Sequence, residues 1–137
     1  MLKKSPLAPD QFPDVHDIAG LKMTALQSGE RYSGREDVLI AAFDKGTTSA
    51  AVFTQSLTPG APVTWSREVH AGRDARAMIV TAGNANVCTG RQGMQNTQRL
   101  AEAVARMSGI EPAQVFVSST GVIGEQLDAQ KIVDSFP

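Results

Sequence analysis

The sequence predicts an α/β domain in which strands alternate with helices. Residues 38–43 are apolar at every position, and residues 76–81 and 114–118 are two further runs of strand length. Residues 94–107 carry apolar side chains at spacings of three and four, which is the pattern of an amphipathic helix. Each of the two later strands runs into small residues that lead towards a helix, so the sequence holds two strand-loop-helix units.

Composition places this domain among compact globular proteins. The chain has 137 residues, of which 42% are hydrophobic and 20% are charged, a balance that fits one unit better than two. Aromatic residues make up only 5%, so aliphatic side chains and alanine are expected to fill the core. Lys and Arg number 13 against 14 Asp and Glu, for a formal net charge of −1. This balance provides no global attraction to nucleic acid or anionic lipid.

Cysteine usage and hydropathy predict a soluble, cytoplasmic protein with no membrane and no nucleic-acid partner. Cys88 is the single cysteine, so neither an internal disulfide nor a zinc site with paired cysteines can form within the chain. Prolines and aspartates interrupt residues 6–14, where a secretory signal would need an unbroken apolar stretch. The longest dense apolar runs are far shorter than the ~20 residues that span a bilayer.

The amino-terminal part of the chain is expected to form an arm and an edge strand. Residues 1–17 are rich in proline and aspartate and predict an extended surface arm ahead of a domain over residues 18–137. A partial apolar alternation predicts an edge strand over residues 18–25.

A hairpin is expected next. The strand over residues 38–43 is interpreted as covered on both faces. A glycine-containing turn at residues 44–47 and an extended pattern at residues 49–54 predict that a second strand pairs with it. Residues 56–62 are expected to form a loop, and residues 63–69 fit either a helix or a strand.

The carboxyl-terminal part carries clear stop signals. Ser108 and Gly109 are expected to end the long helix, because glycine tolerates the left-handed conformation of a helix cap. The strand at residues 114–118 is expected to end in a small-residue loop at residues 119–124. Asp128 is a predicted N-cap for a last helix, whose apolar stripe consists of Ala129, Ile132, Val133 and Phe136.

The loop at residues 119–124 is the first candidate site. Gly121 and Gly124 would let a ligand approach the backbone closely, and residues 118–120 add hydroxyl groups. Exposed backbone amides can stabilise a developing oxyanion or bind a phosphate. The alternative is an ordinary strand-to-helix turn, which the spacing alone favours.

Other candidates have simpler explanations. Asn84 and Asn86 could orient a polar ligand, but asparagine beside glycine is also typical of turns. Cys88 could be a nucleophile if His70 or His16 lay beside it, and the alternative is a buried small apolar residue. Two histidines so far apart predict no metal site.

Four motifs occur in an order that resembles a known family. They are Gly34-Arg35-Glu36-Asp37, Ala51-Val52-Phe53-Thr54, the run from Thr81 to Gly90 and the run from Ser119 to Glu125. This series resembles the amino-terminal part of the ornithine acetyltransferase family, the bifunctional glutamate N-acetyltransferases of arginine biosynthesis. The resemblance spans residues 18–136, and its last two motifs are specific in combination.

The resemblance implies a layered α-β-β-α sandwich similar to that of N-terminal-nucleophile hydrolases, incomplete in this chain. Family members are made as one precursor that cleaves itself before a threonine, whose amino group and hydroxyl act as base and nucleophile. Acetyl passes from N-acetylornithine to this threonine and then to glutamate with no cofactor, although some relatives also take acetyl from acetyl-CoA. The implied partner is the β chain of the same precursor, in an (αβ)2 heterotetramer.

The resemblance also implies which residues act. The family's oxyanion hole is a Thr-Gly pair, which falls on Thr120 and Gly121. The family usually has Asn-Ser where Thr81 and Ala82 stand, so any role of these two side chains is open. The cleavage motif and the nucleophilic threonine lie beyond residue 137 in the family, so the chain is expected to be an inactive portion of the α chain.

Two alternatives remain open. The two strand-loop-helix units could form a non-enzymatic module that binds a small ligand or phosphate, because helix amino termini favour anions. The chain could also be a truncated piece that folds only with its partner.

Overall fold

The structure is a computed structural model that describes residues 6–11, 13–14, 16–72 and 74–137. It contains four strands, three α-helices and one short 3₁₀ helix within these residues. In chain order the elements are β1 (Leu21–Leu26), β2 (Val38–Phe43), α1 (Ala61–Gly72), β3 (Ala77–Asn84), α2 (Gly90–Ser108), the 3₁₀ helix (Pro112–Gln114), β4 (Val115–Val122) and α3 (Ala129–Val133).

The strands form one sheet in the order β1-β2-β3-β4. β1 pairs antiparallel with β2, and β2 pairs antiparallel with β3, with Ile40 opposite Ile79. β3 and β4 are parallel, with Gly83 opposite Gly121. Helix α2 connects this parallel pair, as a parallel connection requires. The edge strand predicted near residues 18–25 is therefore confirmed as β1.

One face of the sheet packs against the helices. Ile79 is fully buried there against Leu100 and Val104 of α2, which are also fully buried. The opposite face is partly open, since Leu39 is 36% and Met23 is 57% exposed. The prediction that residues 38–43 are covered on both faces is therefore wrong, because the helices cover only one face of the sheet.

The two predicted helices are present with changed boundaries, and the last one ends at Val133, before Phe136 of its predicted apolar stripe. Residues 63–69, which fitted two structures, lie within α1. α2 begins at Gly90 and not at Met94. The sequence pattern missed the first turn because that turn is polar and has no apolar periodicity. Gly109 ends it in the left-handed conformation with φ 65°, which confirms the predicted cap. Asp128 is confirmed as an N-cap, since its side chain accepts from the N–H of Lys131 at 3.0 Å.

The predicted hairpin between residues 38–43 and 49–54 is wrong. Residues 47–60 form no strand, and both edges of β2 are already occupied by β1 and β3. Phe53 instead packs against α1, where its ring centroid lies 5.9 Å from that of His70. Residues 50–53 therefore run as an irregular segment beside the sheet.

The two later strands are longer than predicted. β3 continues to Asn84 and β4 to Val122, so residues 119–122 belong to a strand and not to a loop. The small residues that suggested a loop pair with each other across the parallel ladder. The arm-and-domain division at residue 17 stays a prediction, because residues 1–5, 12 and 15 lie outside the described residues.

Candidate functional site

Strand β4 lies at one edge of the sheet, so alternate residues direct their backbone groups away from β3. The C=O of Val122 accepts from the N–H of Ala85 at 2.9 Å, which places the even-numbered residues towards β3. The odd-numbered residues therefore face outwards. Val117 agrees with this assignment, because both of its backbone groups bond to helix α1.

Helix α1 covers the first half of this edge. Ser66 Oγ donates to the C=O of Val117 at 2.7 Å and accepts from its N–H at 3.0 Å. Trp65 Nε1 donates to the C=O of Val115 at 2.9 Å. Ser66 is buried, so these bonds replace the water that an open edge would otherwise need.

The second half of the edge is open. Among the described residues, none bonds to the outward N–H of Ser119 or of Gly121. Thr120 turns its backbone towards β3, but the residue is exposed and its hydroxyl has no hydrogen-bond partner in the described part of the chain. Thr120 Oγ1 and the Gly121 N–H are thus two neighbouring donors that a ligand can reach.

The strand geometry specifies which atom of each residue is available. The N–H of Thr120 belongs to the ladder with β3, so this residue can donate to a ligand only through its hydroxyl. Gly121 has no side chain and can donate only through its N–H. Two such donors can stabilise negative charge that develops on an oxygen. Their role as an oxyanion hole stays a prediction.

Gly121 approaches β3 more closely than any side chain would allow. Its φ is 136° and that of Gly83, directly opposite, is 122°, a region of backbone conformation that favours glycine. A Cβ added to Gly121 would overlap the carbonyl group of Gly83. A Cβ added to Gly83 would lie 2.7 Å from the Cβ of Arg31. Both positions therefore require glycine.

Thr81, one of the two departures from the family pattern, contacts Ser119, the residue before Thr120 and Gly121. Its hydroxyl donates to Ser119 Oγ at 2.9 Å, and Thr81 is 2% exposed. The side chain at position 81 thus links β3 to β4 just ahead of Thr120.

Asn84 and Asn86 are turned into the protein. They are 2% and 0% exposed, and the N–H of Asn86 donates to Asn84 Oδ1 at 2.8 Å. Asn84 Nδ2 donates to the C=O of Glu125 at 3.2 Å. The Asn86 side chain bonds to the first turns of α2 and to the residue before them, through Gly93 C=O, Thr97 Oγ1 and Thr89 Oγ1. Asn84 is the last residue of β3 and not a turn residue, and only Asn86 lies in the connection between β3 and α2. Both side chains are bonded within the protein, and a role of either in orienting a ligand stays a prediction.

A cavity of about 430 Å³ lies beside β4, between α1 and residues 50–53. Its lining is mostly apolar and includes Phe53, Val63, Phe116 and Ser119. None of its lining residues carries a charge. The cavity therefore suits an uncharged group and supplies no cation for a phosphate.

The remaining candidates are not brought together. Cys88 is exposed with φ 59°, so its interpretation as a buried apolar residue is wrong. The cavity of about 360 Å³ beside Cys88 has no histidine in its lining. His16 is exposed, while His70 packs on Phe53. Among the described residues, no group of His, Cys, Asp or Glu could hold a metal ion, and no helix is both long and apolar enough to traverse a bilayer.

Sequence reasoning missed the residues that support the edge strand. Ser66 and Trp65 lie on a helix whose hydrophobic periodicity is weak, and their partners are backbone groups fifty residues away. No sequence pattern reports such bonds. The ion pair between Arg31 and Glu125, which joins the segment before β2 to the turn after β4, was missed for the same reason.

The described residues form an α/β domain with one four-stranded sheet. The edge strand of this sheet, β4, leaves hydrogen-bond donors available to a ligand. The chain belongs to the ArgJ family, whose family model matches residues 22–137. The resemblance to this family and the predicted α/β fold class are thereby confirmed.

The sequences of known proteins match this chain over nearly its whole length. The arginine biosynthesis bifunctional protein ArgJ of Bradyrhizobium diazoefficiens is 48% identical over 127 residues, covering 93% of this chain and 31% of that protein. The protein of the same name from Gluconobacter oxydans is 46% identical over 136 residues, covering 99% of this chain and 32% of that protein. The chain therefore spans about a third of the length of the curated relatives it matches.

Solved structures show the same fold. The crystal structure of the arginine biosynthesis bifunctional protein ArgJ from Bacillus halodurans matches with a TM-score of 0.79 at 31% identity, covering 85% of this chain and 61% of that chain. The ornithine acetyltransferase of Mycobacterium tuberculosis, solved in complex with ornithine, matches with a TM-score of 0.75 at 30% identity, covering 85% of this chain and 64% of that chain.

Proposed function

We propose that this chain is the amino-terminal part of the α chain of a glutamate N-acetyltransferase of the ornithine acetyltransferase type. The reaction moves acetyl from N-acetylornithine to a threonine of the β chain and then to glutamate. Membership of the ArgJ family supports this proposal, as does the likeness to an ornithine acetyltransferase solved with ornithine. The observation that carries it is the open pair of donors, Thr120 Oγ1 and the Gly121 N–H.

The two donors have a defined task in this reaction. The threonine hydroxyl attacks the acetyl carbonyl while the threonine amino group takes its proton, and the carbonyl oxygen becomes negative. Thr120 and Gly121 would bind that oxygen. The tetrahedral intermediate collapses as ornithine leaves with the proton. The amine of glutamate then attacks the acetyl-threonine and gives its proton to the threonine amino group, and N-acetylglutamate is released as the threonine oxygen leaves and takes that proton back. The proposed reaction uses no metal and no cofactor, and acetyl-CoA would serve as an alternative donor of acetyl.

The proposed partners follow from the same reaction. The nucleophile is supplied by a β chain from the same precursor, in an (αβ)2 heterotetramer located in the cytoplasm. The uncharged cavity beside β4 offers no counter-charge to ornithine or glutamate, so the charged groups of both amino acids would be bound by other residues.

The test is the replacement of Thr120 in the full-length precursor that the proposal requires. Removing one oxyanion donor costs about 3 kcal/mol of barrier, so Thr120→Ala is expected to lower kcat about a hundredfold or more. Thr120→Ser keeps the hydroxyl and is the matched control, with kcat close to that of the wild type. Self-cleavage is followed on a gel for each variant. Normal turnover of a fully cleaved Thr120→Ala protein would contradict the role.

A binding module for phosphate is the second candidate function. It is less well supported, since the cavities beside β4 and beside the start of α2 have no cationic lining residue. Calorimetry with N-acetylornithine and with phosphate-bearing metabolites separates the two functions. Binding of a nucleotide alone would contradict the acetyltransferase proposal.

A further inference from the structure

We infer that Asn84 is a positioning residue for the donor pair, because its side chain fixes the exit of β4 and thereby holds the N–H of Gly121 in place. The inference rests on the proposed function, which gives Gly121 its task. Asn84 itself touches no substrate, since its side chain is 2% exposed and bonded within the protein.

Gly121 has no side chain of its own to restrict its backbone conformation. It lies opposite Gly83, and both residues have positive φ, so two glycines without side chains face each other across the ladder. Glycine populates many backbone conformations with similar energy. The orientation of the Gly121 N–H must therefore be fixed by neighbouring residues, and Asn84 directly follows Gly83.

Among the described residues, backbone and side-chain hydrogen bonds join the exit of β3 to the exit of β4. Two are backbone bonds, from the N–H of Ala85 to the C=O of Val122 and from the N–H of Gly124 to the C=O of Val87, both at 2.9 Å. A side-chain bond runs from Asn84 Nδ2 to the C=O of Glu125 at 3.2 Å. A second side-chain bond runs from Gln126 Nε2 to the C=O of Thr89 at 3.2 Å. The Asn84 bond starts from the residue directly after Gly83, and a substitution of Asn84 can remove it without removing a backbone bond.

The other end of the Asn84 side chain is fixed to helix α2. Asn84 Oδ1 accepts from the N–H of Asn86, which has a φ of 49°. Asn86 Nδ2 in turn donates to the C=O of Gly93 and to Thr97 Oγ1, both at 2.9 Å. Hydrogen bonds therefore connect the 19-residue helix α2 to Asn86 and Asn86 to Asn84. The side chain of Asn84 in turn bonds to the segment that follows Gly121.

Asn96 provides a matched control. It is also buried, at 6% exposure, and its Nδ2 donates to the C=O of Leu127 at 2.7 Å. The bond has the same chemistry as that of Asn84 and ends two residues further along the chain. It joins α2 to the segment before α3, away from the ladder between β3 and β4.

The experiment compares Asn84→Asp with Asn96→Asp, since each replaces one buried amide donor by a carboxylate of nearly the same shape, so both variants carry the same added charge. In the full-length protein, amide hydrogen exchange of Ala85 and Gly124 is expected to become about tenfold faster in Asn84→Asp, because local opening costs less free energy. These two amides should exchange at nearly the wild-type rate in Asn96→Asp. Asn84→Ser replaces Asn84→Asp if the latter does not fold.

Kinetics of the full-length precursor give the second readout. A misplaced donor lowers kcat about a hundredfold while KM changes little, so Asn84→Asp should show this split and Asn96→Asp should not. Equal kcat in the two variants, or unchanged exchange in Asn84→Asp, would overturn the inference. A wild-type precursor that transfers no acetyl would instead refute the proposed function, and the exchange rates would still decide whether Asn84 fixes the strand exit.

Discussion

The two halves of β4 differ in whether the outward backbone groups at the sheet edge are hydrogen-bonded. At Val115 and Val117, side chains of α1 bond to the outward backbone groups, while at Ser119 and Gly121 the outward N–H groups are open. Unpaired edge groups attract water, ligands or other chains. The covered half therefore stabilises the fold, and the open half is where chemistry can occur. The candidate site is the uncovered continuation of a strand and not a loop beside the sheet.

Gly121→Ala should have the largest effect on stability. The new Cβ would overlap the carbonyl group of Gly83, and alanine disfavours a φ of 136°. Overlap and strain together are expected to lower the free energy of unfolding by about 4 kcal/mol. Denaturant titration of the full-length protein measures this change.

Gly46→Ala separates the two causes. Gly46 also has a positive φ, of 91°, but nothing lies within 4 Å of an added Cβ. Conformational strain alone should then cost about 1–2 kcal/mol. If both variants lost the same stability, the close approach of Gly121 to Gly83 would not be the reason for glycine at this position.

Ser66→Ala tests the covered half of the edge. It leaves both backbone groups of Val117 buried and unpaired, so the free energy of unfolding should fall by about 2 kcal/mol. Ser33 is exposed, and Ser33→Ala should change stability by less than about 0.5 kcal/mol. Thermal or denaturant unfolding of both variants gives the comparison. A Ser66→Ala protein as stable as Ser33→Ala would mean that water satisfies this half of the edge too.

Thr81→Val tests the link just ahead of the open half. Valine keeps the shape of the buried side chain and removes the bond to Ser119 Oγ, which should cost about 1 kcal/mol. Thr24→Val on exposed β1 is the control and should have almost no effect. Equal stability of the two variants would show that the Thr81 hydroxyl does not stabilise the pairing of β3 with β4.

The sequence predicted the elements that depend on local patterns. The strand at residues 38–43, the cap at Gly109 and the N-cap at Asp128 follow from apolar runs and from residue types with fixed backbone preferences. The prediction of a hairpin with residues 49–54 was wrong because local patterns do not show which strands pair. In the structure β1 and β3 occupy both edges of β2.

The candidate site was predicted only in part. The family resemblance identified Thr120 and Gly121, but the glycines suggested a loop because they are poor strand formers in isolation. Their place in a strand depends on Gly83 opposite, a pairing that periodicity does not reveal. The distinction between the hydroxyl of Thr120 and the N–H of Gly121 needed the alternation of the ladder, which only the register of β3 with β4 provides.

Thr120→Ala should have the smallest effect on stability and completes the comparison of the two halves. The Thr120 hydroxyl has no partner among the described residues, and the side chain is exposed, so the free energy of unfolding should change by less than about 0.5 kcal/mol. Ser66→Ala, a similar loss of one hydroxyl on the covered half, should change it several times more. If the Thr120 hydroxyl donates to a ligand, its removal should lower turnover without lowering stability. A loss above about 1 kcal/mol in Thr120→Ala would show that the fold already uses this hydroxyl, and the second half of β4 would then differ from the first only in its partners.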